Sequence, residues 1–142
     1  MKRSEVVDVL NRLLGTVYRS LPVYLTAAPL WVRPGSEAVV GVLDAIAADH
    51  RVLAERIAGA IAERGGRPET RQFPLEFTSL HDVSTDFIVR CVLEHARRDV
   101  ADIECCVERL REAPLAQSFA RDALKAFREH AATLERLTNH QP

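Results

Sequence analysis

No segment of this 142-residue chain stays apolar long enough to span a bilayer as a helix, so no transmembrane helix is expected. Charge of one sign is lacking as well, since Lys+Arg 19 against Asp+Glu 20 leaves a formal net charge of -1. With neither a basic excess nor a basic tail, no nucleic-acid partner and no anionic membrane surface is expected. Cysteine is scarce. Cys91, Cys105 and Cys106 form neither a disulfide framework nor a zinc-finger spacing. Cys105 and Cys106 would strain badly if joined, and Cys91 lies about four helical turns away from them. Reduced thiols used for packing are the expected state. A cysteine-based redox sensor is the alternative, with only Arg109 to supply a basic neighbour. The opening Met1-Lys2-Arg3-Ser4-Glu5 leads into an amphipathic pattern containing Asp8 and Asn11. A signal peptide reads differently, and a cytoplasmic setting is expected.

What the chain does have is helical periodicity. At this length a single domain spanning 1–142 is expected. The first apolar seam runs Val6, Leu10, Leu13, Leu14, Val17, Leu21, Tyr24, Leu25 and Ala28, with Ser4, Glu5 and Asp8 as a partial start signal. Pro22 lies inside it, and because the seam keeps phase a kink near Tyr18 to Ser20 is expected rather than a break. Pro29 to Gly35 reads as a turn, with Trp31 folding back on the end of the bundle. Ser36 then caps a second helix, and Gly65-Gly66 stops it. Arg67 to Leu80 shows no period and reads as an extended connection pinned by Phe73, Leu75 and Phe77.

A third helix, starting between Ser79 and Ser84 and ending near Arg111, carries Val89, Val92, Leu93, Ala96, Val100, Ile103, Val107 and Leu110 on its seam. Pro114 suits the first turn of a fourth, with Phe119, Ala123, Phe127, His130, Ala131, Leu134 and Leu137 on one face and a frayed end from Asn139 to Pro142. The expected fold is all-α: a four-helix bundle of two antiparallel helical hairpins joined by a long crossover. A helix of about thirty residues is about 45 Å long, and an extended chain covers that in about thirteen residues. Arg67 to Leu80 is long enough for that crossing.

Chemistry in a bundle belongs to side chains that face the core, and two histidines take seam positions there. His50 stands in the row Val39, Leu43, Ile46, Leu53, Ile57 and Ile61, and His130 stands between Phe127 and Leu134. Imidazole is the commonest transition-metal ligand, so a core histidine pair reads either as hydrogen-bonded packing or as a metal site. Tyr18 or Tyr24 is placed to supply a hydroxyl to either ring. His81-Asp82 reads as helix-start capping, and His95, Arg97 and Arg98 as a solvated face. No Ser-His-Asp arrangement, glycine-rich phosphate loop or metal-spaced Cys/His cluster can be assembled.

The paired hairpins, with the strings IAADHRVLAERI (Ile46 to Ile57) and REHAATLERL (Arg128 to Leu137), resemble the ferritin-like superfamily. The resemblance implies Glu-x-x-His pairs on the second and fourth helices and one Glu on each of the others, together holding two metal ions. The helix-one acid falls at Val17, the helix-two pair at His50 and Leu53, the helix-three acid at Ala96, and the helix-four pair at Phe127 and His130. Only His130 matches in type and place. Two hard cations need several carboxylates, so neither a ferroxidase nor a di-iron oxygenase is expected. The resemblance then implies a non-catalytic binding or oligomerisation module, a homodimer, with no resident cofactor. The alternative is a protein or oxidoreductase using one transition-metal ion on His50 and His130, with Asp99 or Glu94 as a third ligand.

Overall fold

The computed structural model describes residues 1–69, 72–81 and 83–139, which form six helices and, among the described residues, no strand. They are α1 (Arg3–Tyr18), α2 (Leu21–Ala27), α3 (Glu37–Glu63), a 3-10 helix (Leu75–Leu80), α4 (Thr85–Arg109) and α5 (Pro114–Asn139). No helix among the described residues is long and apolar enough to cross a membrane.

Two differences from the sequence reading add helices. The expected kink at Pro22 is a break, so one long segment becomes α1 and α2. A proline ring clashes with the carbonyl four residues back, here that of Tyr18, and brings no N–H of its own. The chain leaves the α region at Ser20, with φ −65 and ψ 154, and restarts with Pro22 in the first turn of α2. The second difference lies in the connection read as wholly extended. Its second half is the 3-10 helix, in which Thr78 and Ser79 donate their hydroxyls to the carbonyls of Leu75 and Glu76. Phe77 and Leu80, three apart and so on one side of a 3-10 turn, are its buried residues.

The helix ends follow the local chemistry with two adjustments. Lys2 rather than Ser4 takes the N-cap position of α1, leaving Ser4 inside the helix. Ser36 stands at the N-cap of α3, but its hydroxyl closes the preceding turn on Arg33 instead of capping. Ser84 does cap α4, accepting from the Phe87 N–H at 3.2 Å. At the end of α3, Gly65 has φ +75, and the N–H groups of Gly65 and Gly66 donate to Ala62 and Ile61. This is a Schellman ending, and it needs a residue without a Cβ penalty at Gly65.

The core falls into two apolar clusters stacked along the bundle. One unites the length of α1, from Val6 to Val17, with the second half of α3, the end of α4 and the start of α5. The other unites α2 and Trp31 with the start of α3, the 3-10 helix, the start of α4 and Leu134 of α5. Trp31 folds back as expected and donates its indole N–H to the Leu25 carbonyl at 3.0 Å. Asn11 of α1 bonds the Arg67 carbonyl and the Glu69 N–H, and Tyr24 of α2 packs edge-on against Phe73. His50 lies between the two clusters, with Ile46 belonging to one and Leu53 to the other.

Candidate functional site

The break between α1 and α2 brings Ser20 into the interior. Its backbone occupies the N-cap position of α2, yet its hydroxyl makes no capping bond. Buried to 2% exposure, it instead meets Nδ1 of His50 at 2.7 Å. His50 projects from the middle of α3, 3% exposed, with the Phe127 ring stacked flat on it at 4.1 Å between centroids. Its Nε2 lies 3.0 Å from Nδ1 of His130 on α5. His130 in turn places Nε2 3.0 Å from a carboxylate oxygen of Asp49, the residue before His50. The result is a chain from a buried hydroxyl to an exposed carboxylate.

A carboxylate can only accept, so His130 carries a proton on Nε2, and in the tautomer with that proton alone its Nδ1 is an acceptor. His50 then donates from Nε2 and accepts the Ser20 hydroxyl proton at Nδ1. Burial, and after it the neighbouring His130, lowers the His50 pKa to about 3. The ring is therefore neutral at physiological pH, as this order requires.

Such a relay resembles the one that activates a serine nucleophile, and it differs in access. Ser20 is buried, whereas substrate has to reach a nucleophile. Clefts do occur elsewhere. One of about 360 Å³ is lined by Asp8, Asn11, Arg12, Thr16, Arg19 and Glu69, and another of about 490 Å³ lies beside Arg90, Arg97 and Glu135.

A two-metal centre does not fit the residues present. The positions aligned with metal-binding acids hold Val17, Leu53, Ala96 and Phe127, all buried. Among the described residues no group of three or more His, Cys, Asp or Glu side chains is arranged to hold a metal ion. Of the two carboxylates considered as a third ligand, Glu94 is exposed and bonded to Arg98 at 2.6 Å. The Asp99 carboxyl is pushed up to about 7 by burial and then by Asp102, with Arg98 opposing.

The remaining candidates resolve individually. Neither tyrosine reaches His50 or His130 in the way expected. Tyr18 is 41% exposed, and the Tyr24 hydroxyl pairs with Nε2 of His81 at 2.6 Å. The hydroxyl that meets His50 comes from Ser20, because the helix break turns that residue inward. Asp82 lies outside the described residues. His95, read as part of a solvated face, is half-buried edge-on against Phe77, because the 3-10 helix covers that side of α4. Arg97 and Arg98 are solvent-exposed, paired with Glu135 and Glu94. Burial pushes the Cys106 thiol up to about 11 and raises that of Cys91, the reverse of what a reactive thiolate needs; Cys105 is exposed.

Sequence reasoning found His50 and His130 and missed Ser20 and Asp49. Signals for both were present. Ser20 stands two residues before the proline that breaks the helix, and Asp49 is adjacent to the seam histidine.

No family model matches the chain, and no curated protein matches it. Among solved structures it is similar to the crystal structure of a conserved hypothetical protein from Mycobacterium tuberculosis. That similarity has a TM-score of 0.69 at 18% sequence identity and covers 98% of this chain and 91% of the other. At this level of identity the likeness speaks for the helical fold alone.

Proposed function

We propose that this chain is a ferritin-like bundle whose interior metal centre has given way to packing, and that it serves as a non-catalytic binding or oligomerisation module. In this reading α1 and α2 together act as one bent helix, paired with α3, and α4 pairs with α5. The 67–80 segment is the crossover between the two hairpins. The meeting of α1 with the end of α3, the end of α4 and the start of α5 supports that topology. The observation that carries the reading is the saturation of both histidines. Each of the four ring nitrogens of His50 and His130 already has a hydrogen-bond partner, in Ser20, Asp49 or the other ring. Apolar side chains fill the positions where carboxylates would stand, so no charged hole is left in the core.

One observation favours a second reading, a single ion held by His50 and His130. Their facing nitrogens are 3.0 Å apart, near the spacing of two imidazoles on one zinc ion, where each Zn–N bond is about 2.0–2.1 Å. Asp49 behind His130 also matches the carboxylate that commonly orients a metal-bound histidine. Metal analysis of protein purified without chelator separates the two. The packing reading expects no stoichiometric iron, manganese or zinc in the wild type or in His50→Leu. One equivalent in the wild type that disappears in His50→Leu would overturn it in favour of the second.

A further inference from the structure

Among the described residues, Nε of Arg19 is a buried side-chain nitrogen without a hydrogen-bond partner. Folded proteins leave few such atoms, and each calls for a cause. Arg19 stands at the C-cap of α1, where an arginine ordinarily turns to the free carbonyls of the last turn. Its side chain instead folds back across the preceding turn onto Gly15. A Cβ built on Gly15 would overlap the Arg19 guanidinium. Gly15 lies inside α1 without a positive φ, so no turn requires a glycine there, and a mid-helix glycine weakens the helix relative to alanine. What its missing side chain provides is a seat for Arg19.

Folding back brings the guanidinium to the level of Gly15, about 4.5 Å along the helix axis from Arg12. Arg12 has no ion-pair partner either, although Asp8 stands four residues before it, the favourable spacing and order for one. Both arginines line the cleft of about 360 Å³, together with Asp8, Asn11, Thr16 and Glu69. Asn11 fixes its opposite wall. The Asn11 amide donates to the Arg67 carbonyl at 3.1 Å and accepts from the Glu69 N–H at 2.8 Å. A ligand there would meet α1 on one side and the following connection on the other.

Guanidinium forks match the planar oxygens of a carboxylate or the oxygens of a phosphate. The acids of the lining decide between the two. A phosphate on Arg12 and Arg19 would bring like charge toward Asp8, which is costly, whereas a carboxylate that carries an ammonium group offers each charge its complement. We propose that this cleft binds a free amino acid, with its carboxylate on Arg12 and Arg19 and its ammonium toward Asp8.

The inference names a ligand for the binding module and rests on that reading only for its role. Its test is titration calorimetry of the full chain with the common free amino acids, taken singly in the millimolar range. Amide chemical shifts locate the site, and metal content is measured on the same samples. At least one amino acid is expected to bind, with shifts centred on 8–19 and 67–69. Arg19→Gln is expected to weaken binding roughly tenfold or more. Gly15→Ala is expected to do the same by unseating Arg19, with circular dichroism showing α1 intact. Asp8→Asn is expected to weaken the amino acid and leave binding of its des-amino counterpart unchanged. Absence of binding, shifts centred elsewhere, or a Gly15→Ala variant that binds as wild type does would each overturn the proposal. So would inorganic phosphate or the des-amino acid binding as tightly as the amino acid. Stoichiometric metal in samples that bind the amino acid normally would overturn the packing reading and leave the cleft standing.

Discussion

Burial and hydrogen bonding hold His50 in one protonation state, and folding stability is linked to that state. Its pKa is about 3 in the fold against 6.5 for a free histidine. Between these values the unfolded chain binds a proton that the folded chain refuses, so stability falls as pH falls from 6.5 toward 3. The slope from this one group is about 1.4 kcal/mol per pH unit. Denaturant unfolding of wild type and His50→Leu across that range is expected to show the difference, with the variant losing this contribution to the acid sensitivity. Ser20→Ala leaves His50 Nδ1 buried without its donor. A loss of about 1–3 kcal/mol is expected at pH 7, measured the same way. His50 and His130 were legible because a polar residue interrupted an apolar period. Ser20 was not, because its part depends on a backbone break that side-chain periodicity does not register.

Helix ends and breaks explain which elements were read well. The stop at Gly65-Gly66 was legible because only certain residues fit a left-handed turn, and that restriction is written in the sequence. The break at Pro22 was read as a kink because the apolar seam resumes in phase on its far side, which phase alone cannot distinguish from a bend. The 3-10 helix was missed for a different reason: six residues with buried side chains at Phe77 and Leu80 are too few to establish a period. Gly66 provides a test of the junction between α3 and the following segment. A Cβ there would meet Val7 Cγ1 at 2.6 Å and Ile61 at 3.0 Å. Gly66→Ala is expected to destabilise the fold by about 1–3 kcal/mol through overpacking, seen as a lower denaturant midpoint with an unchanged slope.

Across the whole molecule, helix content and the burial of each long seam were legible because helical periodicity reports which face is covered. The layered core was not. Its division into two clusters with a polar chain between them depends on how the ends of separate helices meet, and a single sequence does not show that. The division gives the chain its place: it crosses the one level of the core where neither apolar cluster is continuous. Nitrogen NMR of the imidazoles, recorded with and without added zinc, tests this account most directly. His50 is expected as a neutral ring at pH 7, with the spectra of both rings unmoved by the metal. A zinc-dependent loss of the proton bridging His50 Nε2 and His130 Nδ1 would contradict it.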